Sequence, residues 1–172
     1  MIATLPLPTQ LETGAGAVTL RAASTEDLEG LMKLLADDAI GRGRGDRAEG
    51  EDAERYRRAL AEVLADGSNE LVVGVQEDAP LLAMFQLTRI PGLSRRGVTR
   101  LQVESVRVAR EARSRGLGAA MMRWVLEDAA PAVGAELVQL TSDAEREDAR
   151  RFYERLGFVP SHIGFKANAA QS

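Results

Sequence analysis

Residues 113–119 read Arg-Ser-Arg-Gly-Leu-Gly-Ala, a combination suited to holding an anion. An apolar run, Leu101 to Val108, precedes them, and a run with helical spacing, Leu117 to Ala130, follows. A strand, a glycine-bearing turn and a helix start in that order leave backbone N–H groups without partners at the positive end of the helix dipole, and glycine lets a phosphate come close. Arg113 and Arg115 add mobile positive charge. The expected chemistry is capture of a diphosphate-bearing cofactor at this turn. A plainer role also fits: a tight strand-to-helix connection whose glycines serve steric needs. The turn is no Walker motif, because no Gly-Lys-Ser/Thr follows, and no second acidic-ended strand makes it a dinucleotide fingerprint. Glu104, in the middle of the preceding strand, is the candidate base. A carboxylate left unpaired and buried there would be costly, so catalysis, a salt bridge or plain exposure on the strand is expected for it. Ser105 or Gln102 could instead orient a water.

The elements that must position these groups follow from period and punctuation. Residues 1–17 read as an arm or loose edge segment, and residues 18–172 as one domain. Val18 to Arg21 alternates as a short strand. Ser24 or Thr25 caps a helix carrying Leu28, Leu31, Met32, Leu34 and Leu35, with Glu26 and Asp27 in its first turn. Ile40 to Gly50 is a glycine-rich charged loop. Tyr56, Leu60 and Leu64 mark a second helix within Asp52–Ala65. Leu71–Val75, Leu81–Ile90 and Thr99–Val108 form a meander, the last two joined by a hairpin from Pro91 to Gly97. The helix Leu117–Ala130 ends at Pro131 and Gly134. Glu136–Thr141 is a strand, Asp148–Leu156 a helix with Gly157 as its left-handed stop, and Phe158–Lys166 a last strand. That order implies an α+β domain with a mixed central sheet.

Composition narrows the function classes. With 172 residues, 45% of them hydrophobic, the chain can bury a substantial single core. Twenty-two basic against 26 acidic residues give a net charge of -4, which argues against a general nucleic-acid binder. No cysteine is present, so disulfides, thiolate metal sites and a cysteine nucleophile are excluded within it. His162 is the single histidine and has no metal-ligand spacing around it; a structural or substrate-lining role is expected. No metal, no nucleic acid and no membrane are expected, since no apolar run reaches about 18 residues. The N-terminus lacks a secretory pattern, so a cytoplasmic location is the default expectation.

A second segment adds to the turn. Arg113-x-x-Gly116-x-Gly118, followed roughly 30 residues later by Ala149-x-x-Phe152-Tyr153-Glu154-x-Leu156-Gly157-Phe158, resembles the GNAT superfamily of acetyl-CoA-dependent N-acetyltransferases. The resemblance covers about Val18 to Lys166. It implies a GNAT-like single domain, with a mostly antiparallel sheet splayed into a cleft between the family's fourth and fifth strands, here Thr99–Val108 and Glu136–Thr141. It implies that Arg113 to Ala119 hold the coenzyme A pyrophosphate, and that pantetheine pairs along Val106 and Val108 like an extra strand. The family's fourth strand is bulged. Leu101 and Val103 are in one alternation phase here and Val106 and Val108 in the other, as a bulge or a strand buried on both faces would give.

Acetyl transfer to an amine needs the ammonium to lose a proton, which costs roughly 4–5 kcal/mol for a pKa of about 10.4 at pH 7. It also needs a donor for the oxyanion, where the resemblance implies the Val108 N–H, and an acid for the leaving thiolate, where it implies Tyr153. The alternative for Tyr153 is a core anchor beside Phe152. Some members carry their glutamate two residues earlier, where this chain has Gln102. The resemblance places Asp143 near the pantetheine arm; Ser142 and Glu145 have capping-box spacing, which would make this segment a helix cap instead. Arg146, Arg150 and Arg151 could reach the 3′-phosphate or stay solvated. The partners implied are acetyl-CoA and an amine acceptor, a small molecule rather than a protein tail because no acidic stripe stands out; a homodimer is possible. The alternatives are a protein lysine or N-terminal acetyltransferase, and a non-catalytic acyl-CoA sensor.

Overall fold

Six strands pair in chain order in the computed structural model, which describes residues 2–37, 52–77 and 79–169. β1 (Thr9–Thr13), β2 (Gly16–Ala22), β3 (Asn69–Val75), β4 (Ala83–Ile90) and β5 (Arg100–Val108) are successive antiparallel neighbours. β6 (Leu137–Leu140) joins β5 in parallel, because a helical crossover separates them. This is the mixed α+β sheet that the element order implied, and it is mostly antiparallel as the resemblance implied. The sheet lies in the first of two compact units, Met1–Leu140, and the second is Thr141–Ser172. Within residues 1–17, read as an arm or a loose edge segment, Thr9–Thr13 form the edge strand β1, and β2 begins at Gly16.

Register decides what each face buries. Leu20, Val72, Phe85, Leu87, Leu101 and Val103 share one face and are all 0–1% exposed. Helix α3 (Leu117–Trp124) packs there, with Trp124 edge-on to Phe85 at 6.0 Å between ring centroids. The opposite face carries Leu71, Val73 and Met84, covered by Leu31 and Leu34 of α1 (Leu28–Ala36) and Leu60 of α2 (Ala53–Ala65). On α2, the half-buried Val63 joins this cluster in place of the expected Leu64, which is 36% exposed.

The start of α1 rests on a carboxylate. A 3₁₀ turn, Thr25–Asp27, leads into the helix. Asp27 Oδ2 accepts the Ser24 N–H at 2.8 Å, and its two oxygens take both terminal nitrogens of Arg21 at 2.8 and 2.7 Å. The Arg21 guanidinium, more than any other contact, holds the Asp27 carboxyl below the usual carboxylate range. Such a bidentate pair on a buried acid is strong because the alternative is an uncompensated charge.

α3 does not stop at Pro131. It runs through a π-helical turn, Val125–Ala129, into a last turn, Ala130–Ala132. Proline has no N–H and its ring crowds the carbonyl four residues back, so the helix widens before it. Gly134, at φ +66°, then ends it as expected, with the Ala135 N–H on the Ala130 carbonyl at 2.8 Å.

In the second unit, α4 (Glu147–Arg155) closes in a Schellman motif. Gly157 is at φ +89°; its N–H reaches the Glu154 carbonyl at 3.0 Å, and the Phe158 N–H reaches the Tyr153 carbonyl at 3.1 Å. The strand expected over Phe158–Lys166 does not form. These residues belong to neither helix nor strand, and Val159, Ile163 and Phe165 are 77, 83 and 91% exposed. Alternation alone makes no strand without a hydrogen-bonding neighbour. The loop expected at Ile40–Gly50, with Arg42, Arg44, Asp46, Arg47 and Glu49, lies outside the described residues.

Replacing Asp27 with Asn should lower the unfolding free energy by about 2 kcal/mol at neutral pH, measured by urea titration. The Asp27 pKa is depressed in the folded state, so this contribution is present above the unfolded pKa of about 3.9 and is lost as pH falls through the folded value. The gap between wild type and variant should therefore close below about pH 4.

Candidate active site

Pairing between β5 and β6 runs from Arg100↔Leu137 to Val103↔Leu140 and stops there, while β5 continues to Val108. Glu104 to Val108 thus have an open side where β6 would be. Between Met84↔Arg107 and Gln86↔Glu104 the register shifts by one residue, and Ser105 sits at φ +52°. This is a bulge. It puts Val106 and Val108 on the same face as Leu101 and Val103, which is the phase slip seen in the sequence. The Ala109 N–H bonds the Leu82 carbonyl at 2.8 Å, so the alternation of an antiparallel ladder turns the N–H groups of Val108 and Val106 away from β4, into the fork. Just below the fork, the half-buried Gln139 amide donates to the Gln102 side-chain oxygen at 2.6 Å and ties the two strands together.

The turn that follows is built to expose amides. Ser114 is left-handed at φ +60° and Gly116 at φ +82°, and a Cβ on Gly116 would meet nothing within 4 Å. The Ala120 N–H bonds the Gly116 carbonyl at 2.9 Å. Among the described residues, no acceptor meets the N–H groups of Ser114 to Ala119, as the first amides of a helix require. Arg113 differs. Its N–H is engaged by the Arg110 carbonyl at 3.3 Å, its Nε donates to the Val108 carbonyl at 2.9 Å, and its NH2 donates to Asp37 at 2.7 Å. Arg115 is exposed. One support has no sequence signal: the Gly14 N–H, in the β1–β2 turn, donates to the Arg115 carbonyl at 2.9 Å, and a Cβ on Gly14 would lie 2.9 Å from that oxygen.

The first unit therefore brings together Glu104, Val106, Val108 and the turn from Arg113 to Ala119. Glu104 is exposed, as one of its expected alternatives had it, and stands opposite Gln86 on the face of α1 and α2. Tyr153 belongs to the second unit. There its ring packs edge-on against Phe152 at 5.1 Å and Phe158 at 5.7 Å between centroids, the second contact being the hydrophobic clasp of the Schellman motif. Asp143, in the same unit, accepts the Glu145 N–H at 3.0 Å in a turn. The capping box expected from Ser142 and Glu145 does not form, because α4 begins at Glu147 and its N-cap position is Arg146. Arg150 pairs with Glu154, and Arg151 with Glu147 and Asp148, all on α4. His162 is exposed outside any strand, with its Nδ1 2.8 Å from the Ser161 hydroxyl. No helix among the described residues is long and apolar enough to cross a membrane, and none of their acidic, histidine or cysteine side chains cluster as a metal site would require.

Comparison with known proteins agrees with this arrangement. The model of the acetyltransferase (GNAT) family matches residues 29–158. A solved structure from Bacillus halodurans C-125, described as a transcriptional regulator, is 41% identical, with a TM-score of 0.82, over 88% of this chain and 99% of that one. One from Agrobacterium tumefaciens, described as a putative acetyltransferase, is 27% identical, with a TM-score of 0.71, over 87% and 99%. The aminoalkylphosphonate N-acetyltransferase of Salmonella typhimurium is 36% identical over 64 residues, 37% of this chain and 41% of the relative's length. This chain belongs to the GNAT family and is an acyltransferase.

Gly14→Ala should force the Arg115 carbonyl to move and so misalign the turn. Acetyl-CoA affinity is expected to fall about fivefold by isothermal titration, with unfolding free energy lowered by about 1 kcal/mol, the typical cost of a single substitution.

Proposed function

We propose that this chain moves an acetyl group from acetyl-CoA to the primary amine of a small molecule, by direct attack within a ternary complex. The observation that carries the reading is the open run of main-chain donors: Val106 and Val108 in the fork, then Ser114 to Ala119 in the turn. Extended backbone with a free edge accepts another extended chain by hydrogen bonding, which suits the amides of pantetheine. Exposed helix-start amides suit the diphosphate. Acetyl-CoA supplies the thioester; the protein supplies position and protons.

In this reading Val106 and Val108 align the pantetheine arm, and the Val108 N–H meets the developing oxyanion. A single aligned donor away from water is worth about 2.7–4 kcal/mol. Glu104, exposed at the bulge, takes the ammonium proton directly or through water. Tyr153 gives a proton to the departing thiolate; its role is carried by the resemblance of the Phe-Tyr-Glu-x-Leu-Gly-Phe segment, and its helix geometry is set by Gly157 and Phe158. The resemblance assigns Asp143 to the pantetheine arm, and the exposed Arg115 answers the diphosphate charge. A cytoplasmic location suits this chemistry.

The acceptor reading draws on the aminoalkylphosphonate N-acetyltransferase relative, a small-molecule enzyme. The net charge of -4 gives no support to nucleic-acid binding of the kind a transcriptional regulator needs.

An amine panel beginning with aminoalkylphosphonates, followed by thiol release with DTNB, tests the reaction. Amine-dependent thiol production is expected; acetyl-CoA binding without it favours an acyl-CoA sensor, and turnover only on peptides favours a protein acetyltransferase. Tyr153→Phe should lower kcat about 100-fold while leaving acetyl-CoA affinity within about twofold. An unaltered kcat removes Tyr153 from the proton transfer.

A further inference from the structure

Asp37 occupies a position that its own helix disfavours. It is the C-cap of α1, at φ -72° and ψ -2°, where the dipole is negative and a carboxylate is repelled. It also stands beside a turn that is to receive a polyanion, where a bare negative charge would weaken binding. Local preference is broken twice, and such breaks mark residues kept for another task.

The task is visible in the contacts. Asp37 Oδ2 accepts Arg113 NH2 at 2.7 Å and Oδ1 lies 3.6 Å from Arg110 NH2. The same Arg113 side chain donates through Nε to the Val108 carbonyl at 2.9 Å. One planar guanidinium therefore joins three parts of the first unit: the end of α1, the end of the open strand, and the first residue of the turn. Guanidinium geometry is fixed, so an arginine held at two edges fixes whatever it touches.

We propose that Asp37 is a positioning residue for cofactor capture, acting through Arg113 to keep the Val108 strand end and the Ser114–Ala119 amides in one frame. This deepens the acetyl-CoA reading and rests on it. Arg113 then works chiefly as a strut, not as a phosphate ligand. The opposite role is equally concrete: Asp37 could merely neutralise Arg113 and compete with phosphate for it. The two roles differ in sign. A strut lost weakens cofactor binding; a competitor lost strengthens it.

The test is isothermal titration of acetyl-CoA into the full-length wild type, Asp37→Asn, Arg113→Ala and the double variant, with thermal melts alongside. Asp37→Asn should bind acetyl-CoA about tenfold more weakly while its Tm stays level or rises, because the charge opposed the helix dipole. The effect of Asp37→Asn should vanish in the Arg113→Ala background, since both variants remove the same strut. Asp37→Glu, which keeps the charge on a longer arm, should recover part of the affinity, and it serves as the readout if Asp37→Asn does not fold. Unchanged or tighter binding by Asp37→Asn, or full additivity with Arg113→Ala, overturns the proposal. If wild type itself does not bind acetyl-CoA, the parent reading fails and this one with it; wild-type binding with an indifferent Asp37→Asn removes the strut alone.

Discussion

The extra residue at Ser105 sets the terms for the site. A non-glycine residue at φ +52° costs about 1–2 kcal/mol, and folding must supply it elsewhere. The return is a strand that changes phase without changing its apolar face. Leu101, Val103, Val106 and Val108 all face α3, and each aliphatic side chain fully buried is worth about 1.5–3 kcal/mol. With Leu101 and Val103 completely buried and the two later valines half-buried, burial outweighs the local strain. The bulge also turns the N–H groups of Val106 and Val108 outward at the point where β6 has already parted from β5.

From that strand end the turn follows directly. Val108, Arg113 and Gly116 lie within nine residues of one another in sequence, and Arg113 Nε ties the turn back to the Val108 carbonyl at 2.9 Å. The left-handed residues Ser114 and Gly116 bend the chain sharply enough to leave the amides bare. Two remote residues brace this bend. Gly14 holds the Arg115 carbonyl from the β1–β2 turn, and Asp37 holds the Arg113 side chain from the end of α1.

Local signals made much of this legible in advance. The strand-turn-helix order, the phase slip in Leu101–Val108 and the Gly157 helix stop are short-range patterns, and each has its counterpart in the fold. Long-range contacts were hidden. The hydrogen bond from Arg113 to Asp37 spans 76 residues, and no spacing rule couples such positions. Gly14 looked like loose-arm composition because its need for a missing side chain arises only from Arg115. Glu104 could be read as a base, a salt-bridge partner or an exposed strand residue; it is exposed, and alternation alone could not choose among these because what covers a sheet face is set by distant elements. The expected strand Phe158–Lys166 failed for a related reason: alternation reports a face, while a strand also needs an edge to pair with. Pro131 was read as a stop, whereas a π turn let the helix absorb it.

Hydrogen exchange of the backbone amides, with and without acetyl-CoA, tests the site most directly. The cofactor should slow exchange at Val106, Val108 and the amides from Ser114 to Ala119, and leave β2 and β3 amides unchanged. Unaltered exchange across both the fork and the turn, with acetyl-CoA at saturation, would contradict capture by these main-chain donors.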